Sequence, residues 1–142
     1  LNSVVTGAPV CLDIDGNATI QAANAGLDEK GPPRFESVFL SCPDAPFRDD
    51  TDVTAAQIAQ IFGAGTNNVS DGTSSLVSVF VNGANENAVT AFPASSVRSF
   101  FEDTDYIGAV RDQNDTWWQG WTCGLGTNSP TCTAAPVPST DA

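Results

Sequence analysis

The chain has 142 residues, with 5 Lys and Arg against 17 Asp and Glu, a formal net charge of -12 and no His. So acidic a chain lacks the basic footprint that phosphate backbones and anionic bilayers attract, which argues against nucleic acid as a partner. The lack of His removes Ser-His-Asp and Cys-His nucleophiles and His-based zinc sites, while 15% charged and 41% hydrophobic residues fit neither a disordered acidic tail nor a helix bundle.

Ser3-Val4-Val5-Thr6 reads as one extended run and Pro9-Val10-Cys11-Leu12, with Ile14, as a second, separated by Gly7. Residues 21–33 are small and polar and end in Gly31-Pro32-Pro33, which predicts loop. Phe35–Leu40 predicts a strand. Its nearly continuous apolar character suits a strand covered on both faces or set in a parallel array. Asp52–Phe62 predicts the best helix, with Thr51 or Asp52 as cap, Ile58, Ile61 and Phe62 as an apolar stripe, and Gly63 as terminator.

Leu76–Val81 predicts a second strong strand, and Asn82–Asn87 a loop. Ser95 or Ser96 is expected to open a short helix through Phe101, with Val97, Phe100 and Phe101 on one face. Tyr106–Val110 and Thr116–Cys123 read as strand or irregular chain, and Thr131–Ala142 as a mobile Thr/Ala/Pro tail. No apolar run approaches the roughly 20 residues of a membrane helix. Ser37-Val38-Phe39-Leu40 is echoed by Ser78-Val79-Phe80-Val81, and Ser3-Val4-Val5 is similar to both. Short strands repeated between polar turns suit a parallel β-solenoid. The expected fold is therefore mainly β: solenoid-like rungs with one or two short helices, forming one domain over residues 1–130, with residues 131–142 as the tail.

Cys11, Cys42, Cys123 and Cys132 form an even set without CxxC spacing, which points to disulfides rather than metal. Cys11–Cys42 with Cys123–Cys132 uses the shortest separations, and the other connectivities stay open. Disulfides imply an extracytoplasmic compartment: periplasm, cell surface or medium. The chain starts at Leu1 and has no Met, so removal of an N-terminal piece is expected.

Asp13-Ile14-Asp15-Gly16-Asn17 sets Asp13, Asp15 and Asn17 at alternate positions around a glycine, a spacing that can wrap calcium, the one candidate cofactor. The twelfth position of an EF-hand loop is here Asn24, and a plain Asp-Gly-Asn turn explains the same residues without metal. Asp49, Asp50 and Asp52 lie where the first helix should start, which the helix dipole favours. Trp117, Trp118 and Trp121 hold all the tryptophan. If residues 116–122 are a strand, Trp117 and Trp121 share a face and Trp118 takes the other. Such aromatics either close the end of the solenoid as a cap or stack on sugar rings, helped by Asp112, Asn114, Asp115 and Gln119. Acid-base chemistry would fall to Asp or Glu pairs with Tyr106, Lys30 or an arginine, and no spacing singles out a pair.

The stretch Tyr106–Cys123, with its three tryptophans, resembles the C-terminal signature of a family of secreted proteins of Gram-negative bacteria. These are parallel β-helix proteins or lipoproteins, often labelled hypothetical or multidrug transporter. Asn82–Val89, Phe100-Phe101, Val5-Thr6-Gly7 and Cys11–Asp15 are similar to the same family, so the resemblance covers most of residues 1–123. It implies a right-handed β-helix upstream, of which this chain is the C-terminal portion, and it implies no defined activity and no catalytic residues. The open end of such a solenoid would need cover from other copies or from the rest of a parent chain.

These expectations lead to a non-enzymatic extracellular or cell-surface structural or binding module, part of an assembly. The alternative is a carbohydrate-binding or calcium-assisted polysaccharide-active module, with Trp117, Trp118, Trp121 and Asp115 as ligand-binding residues.

Overall fold

The fold is given by a computed structural model that describes residues 1–24, 26 and 31–119. Lys30, Trp121, Cys123, Cys132 and the 131–142 tail lie outside the described residues. Among the described residues four short strands come first, β1 Ser3–Thr6, β2 Val10–Leu12, β3 Val38–Ser41 and β4 Ala45–Phe47, followed by α1 Ala55–Gly63 and the single-turn α2 Ala84–Asn87. Short 3₁₀ turns occupy Asn17–Ile20 and Ala94–Ser96. β1 pairs with β3 in parallel, Ser3 opposite Val38 and Thr6 opposite Ser41. β2 pairs with β4, also in parallel, with Val10 opposite Ala45 and Leu12 opposite Phe47.

This architecture corrects the expected solenoid. Among the described residues there are two two-stranded sheets and no stack of rungs. The decisive departure is at Leu76–Val81, the expected second strand. Val77 and Val81 exchange backbone hydrogen bonds (Val77 N to Val81 O, 2.8 Å; Val81 N to Val77 O, 3.0 Å), which closes a tight turn. Ser78 and Val79 sit at φ 56° and 74°, the left-handed region that a β-branched residue rarely enters. The echo of Ser37–Leu40 in Ser78–Val81 therefore repeats letters, not structure. Trp117 and Trp118 lie in a turn and cap no solenoid. The open cross-section that required other copies or a parent chain as cover is not present among the described residues.

β3 is buried along Val38, Phe39 and Leu40, as its continuous apolar run suggests. Val38 and Leu40 pack with Phe62 of α1, and Val5, Phe35 and Phe47 close around them. Phe39 faces the other way, onto Val89 and Ile107, with Val4 and Val69 beside it. A third cluster of Ile14, Val53 and Ile58 joins α1 to β2 through Leu12 and Phe47. The Phe62 ring lies between Phe35 and Phe47 at 5.5 and 5.4 Å, tilted as aromatic pairs prefer.

α1 begins later than Thr51 or Asp52. Thr54 and Gln57 form a capping box: the Gln57 N–H donates to the Thr54 hydroxyl, and the Thr54 N–H donates to Gln57 Oε1. Asp49 accepts the Ala55 N–H at 2.9 Å, so an acidic residue does serve the helix start. Residues 94–101 form no regular helix beyond the 3₁₀ turn, and Val97, Phe100 and Phe101 are exposed rather than packed as one face. No helix among the described residues is long and apolar enough to cross a membrane.

Cys11 and Cys42 form a disulfide across 31 residues, tying β2 to the end of β3 and hence one sheet to the other. Closing a loop of that length stabilises the chain by roughly 3–4 kcal/mol in the chain-entropy account. A Cys11→Ala/Cys42→Ala double variant is expected to lose stability on that scale in urea unfolding; an unchanged midpoint would contradict the role given to this bridge.

Candidate functional site

Three groups of side chains outside the apolar clusters carry chemistry. The first is the loop from Ala109 to Trp118. Trp117 exposes 59% of its surface, yet its indole Nε1–H donates to the Ala109 carbonyl at 3.0 Å. Trp118 is half-buried. Its ring meets Phe80 edge-on at 4.9 Å, and its Nε1–H donates to the Asp115 carbonyl at 3.1 Å. The two neighbours thus differ: Trp118 packs against Phe80, and Trp117 leaves its aromatic face open while its ring is held in place.

The loop itself is folded by local polar contacts. The Asp115 carboxylate accepts the Arg111 N–H, and the Asp112 carboxylate accepts the Asn114 N–H. Arg111 pairs with Asp105 at 2.6 Å and lies over the Tyr106 ring at 5.0 Å. Burial pushes the Tyr106 phenol above its ordinary range, and the Asp115 charge adds to this. Asn87 donates to the Arg111 carbonyl at 2.9 Å and anchors the loop to α2. Asn114 and Gln119 are exposed at the same loop.

The second group is acidic. Asp13, Asp15 and Asp50 bring carboxylate oxygens within 4.8 Å of one another. The alternation around Gly16 indicates Asp13 and Asp15. Asn17 opens a 3₁₀ turn and is exposed. Asp50 carries no local signal. It arrives because the Arg48 N–H donates to the Leu12 carbonyl, extending the β2–β4 alignment and carrying residues 48–50 alongside 13–15. Three oxygens at this separation could hold a hard cation, but the Arg48 guanidinium already pairs with Asp13 at 2.8 Å.

The third group, Glu36 and Glu86, escaped sequence reasoning. Glu36 is 4% exposed and accepts from Arg34 Nε at 2.7 Å and from the Thr66 N–H and hydroxyl, each at 2.6 Å. Glu86 is fully buried and accepts from the Ser74 hydroxyl, the Ser75 N–H and hydroxyl, and the Gly83 N–H. The one available signal was Glu three residues after Gly83, a helix-start spacing. Burial pushes both carboxyls up, but the donated hydrogen bonds outweigh it and hold both below their ordinary 4.5. Fully satisfied buried carboxylates of this kind hold loops together; they are not poised for proton transfer.

No protein-family model, no curated protein and no solved structure matches the chain. The resemblance to secreted β-helix proteins gains no support from these comparisons, and the rungs of that fold are not found among the described residues.

Because Glu36 and Glu86 titrate lower folded than unfolded, their stabilisation is fully present above about pH 4.5 and is lost as pH falls through the folded values. Acid unfolding should steepen below that pH, and Glu86→Gln should flatten this limb. Glu86→Ala, which strands four donors, should cost at least about 3 kcal/mol in urea unfolding at pH 7. The exposed Arg48–Asp13 pair is worth less, at most about 1 kcal/mol. Arg48→Ala should lose that little only at low salt. Millimolar calcium should then raise the variant's melting temperature more than the parent's; equal shifts would show that the three carboxylates do not act together.

Proposed function

We propose that this chain is a non-catalytic, extracytoplasmic binding module that takes a polysaccharide on the Trp117 surface. The observation that carries the reading is the combination at Trp117: an indole face open to solvent, with its one polar atom already bonded to Ala109. An aromatic face is electron-rich and favours contact with the polarised C–H groups of a sugar ring. A platform that is fixed beforehand loses less conformational freedom on binding than a mobile one. Asn114, Gln119 and Asp115 offer hydroxyl-binding groups on the same loop. The net charge of -12 repels uronate-rich chains, so the ligand is a neutral polysaccharide.

The Cys11–Cys42 disulfide supports the extracytoplasmic placement, since oxidising environments keep such a bond and the cytosol reduces it.

Titrating a panel of neutral and acidic polysaccharides while following tryptophan fluorescence tests the reading. Quenching by a neutral member is expected, with affinity weakened at least about tenfold by Trp117→Ala, or about 1.4 kcal/mol. No response across the panel, or a response that survives Trp117→Ala, defeats it.

A further inference from the structure

A groove of about 370 Å³ runs between β1 and the Val77–Val81 turn, lined by Val5, Thr6, Leu76, Val79, Phe80 and Ala109 among others. Its wall at β1 is an unfinished sheet edge. In the parallel register, the Ser3 N–H donates to the Ser37 carbonyl, so Ser3 and Val5 turn their backbone groups towards β3. Val4 and Thr6 therefore turn theirs the other way, and before them Asn2 sends its N–H to the Glu36 carbonyl and its own carbonyl outward. The Asn2 carbonyl is met there by the Gly108 N–H at 2.9 Å. Gly108 sits at φ 79°, and the chain then leaves β1 to pair with Val81 at Val110. Beyond that departure, the outward backbone groups of Val4 and Thr6 have no partner among the described residues. Asn82, which also lines the groove, is 4% exposed and has an Oδ1 without a donor.

The far wall is equally unusual. The turn that carries Val79 holds two non-glycine residues at positive φ, and Val79 itself is 82% exposed at the rim. Such conformations persist only where surrounding contacts impose them, and they gather at ligand clamps.

We propose that this groove takes an extended, cationic peptide segment of a partner protein, which adds as a strand to β1 through Val4 and Thr6. An unpaired edge selects an extended backbone, because only a strand can answer alternate outward N–H and C=O groups. The apolar lining selects alternate apolar side chains. Charge selects the source: two copies of this chain would each bring a net charge of -12 to the contact, whereas a basic segment is attracted. The proposal rests on the β1 edge and is independent of the Trp117 reading.

The test uses the full disulfide-intact chain and a peptide of alternating valine and threonine flanked by lysines. Calorimetry measures binding, and amide exchange by NMR reads Val4 and Thr6. Binding is expected, with slowed exchange at both amides and at least about tenfold weaker affinity for the same core flanked by glutamates. Thr6→Pro removes one outward donor without breaking a β1–β3 bond and should abolish the slowing at Val4, the amide that remains, and most of the affinity. Ala109→Phe, which fills the groove instead, guards against a strand defect in the first variant and should also block binding. The proposal is overturned by absence of binding, by binding that leaves Val4 and Thr6 exchange unchanged, or by binding that survives both variants. Dimerisation of the free chain with these amides already protected would overturn it as well, by making a second copy the occupant.

Discussion

The structure depends on a strand that is enclosed on every side. β3 has apolar clusters on both faces, β1 along one edge and Val69 along the other. A strand so placed can leave no backbone group to water, so its neighbours must supply every partner. Asn68 does this where β3 begins. Its Oδ1 accepts the Val38 N–H, while its Nδ2 donates to the carbonyls of Phe35 and Phe62. One amide thereby fixes the strand entry, the chain before it and the end of α1. Ser37, held at φ 53°, sends its N–H to the Thr66 carbonyl and its hydroxyl to Thr90. Glu36 then binds Thr66 from the same point. The apolar contacts of β3 supply the driving force, and this polar set determines which arrangement satisfies it.

The second half of the described chain uses the same device with fewer strands. Glu86 gathers Ser74, Ser75 and Gly83, so a carboxylate takes the place a sheet would otherwise occupy. Gly83 can serve because a side chain there would collide with the Ser75 carbonyl. Both ends of the Leu76–Val81 segment are pinned this way, Ser75 before it and Asn82 to Ile107 and Asn87 after it. The left-handed Ser78 and Val79, which cost on the order of 1–3 kcal/mol each, are tolerated between those anchors. The Trp117 loop is built on the same frame, through Asn87 and Ala109.

Local pattern made part of this visible in the sequence. β1 and β2 coincide with the two extended runs, and α1 shares most of its span with the expected helix, because alternation, propensity and capping are short-range properties. The expected helix cap moved to Thr54 since reciprocal bonding with Gln57 outcompetes an isolated cap. Leu76–Val81 has strong strand propensity, yet the Glu86 contacts come from residues beyond any local window and fold it into a turn. Asp50 was hidden for a related reason: its place beside Asp13 and Asp15 depends on the register of two strands. For Trp117 and Trp118 the sequence offered a cap or a sugar surface; there is no solenoid to cap, and the different exposure of the two rings goes with hydrogen bonds to Ala109 and Asp115 that no spacing encodes.

Charge then explains how so little sheet can stand with an unfinished edge. Proteins commonly blunt an open strand by covering it or by placing charge beside it. Here Arg34, Arg48 and Arg111 are paired with Glu36, Asp13 and Asp105, so a large acidic excess stays uncompensated. The like charge of -12 on each copy opposes contact between two such edges, and a neutral or basic partner meets no such barrier. The protection is electrostatic and therefore conditional. It weakens as the screening length falls from about 10 Å at 0.1 M salt to about 3 Å at 1 M. The outward groups of Val4 and Thr6, without partners among the described residues, do not change with salt, so any preference of this edge for a basic strand over a second copy would be set by the solution as much as by the fold.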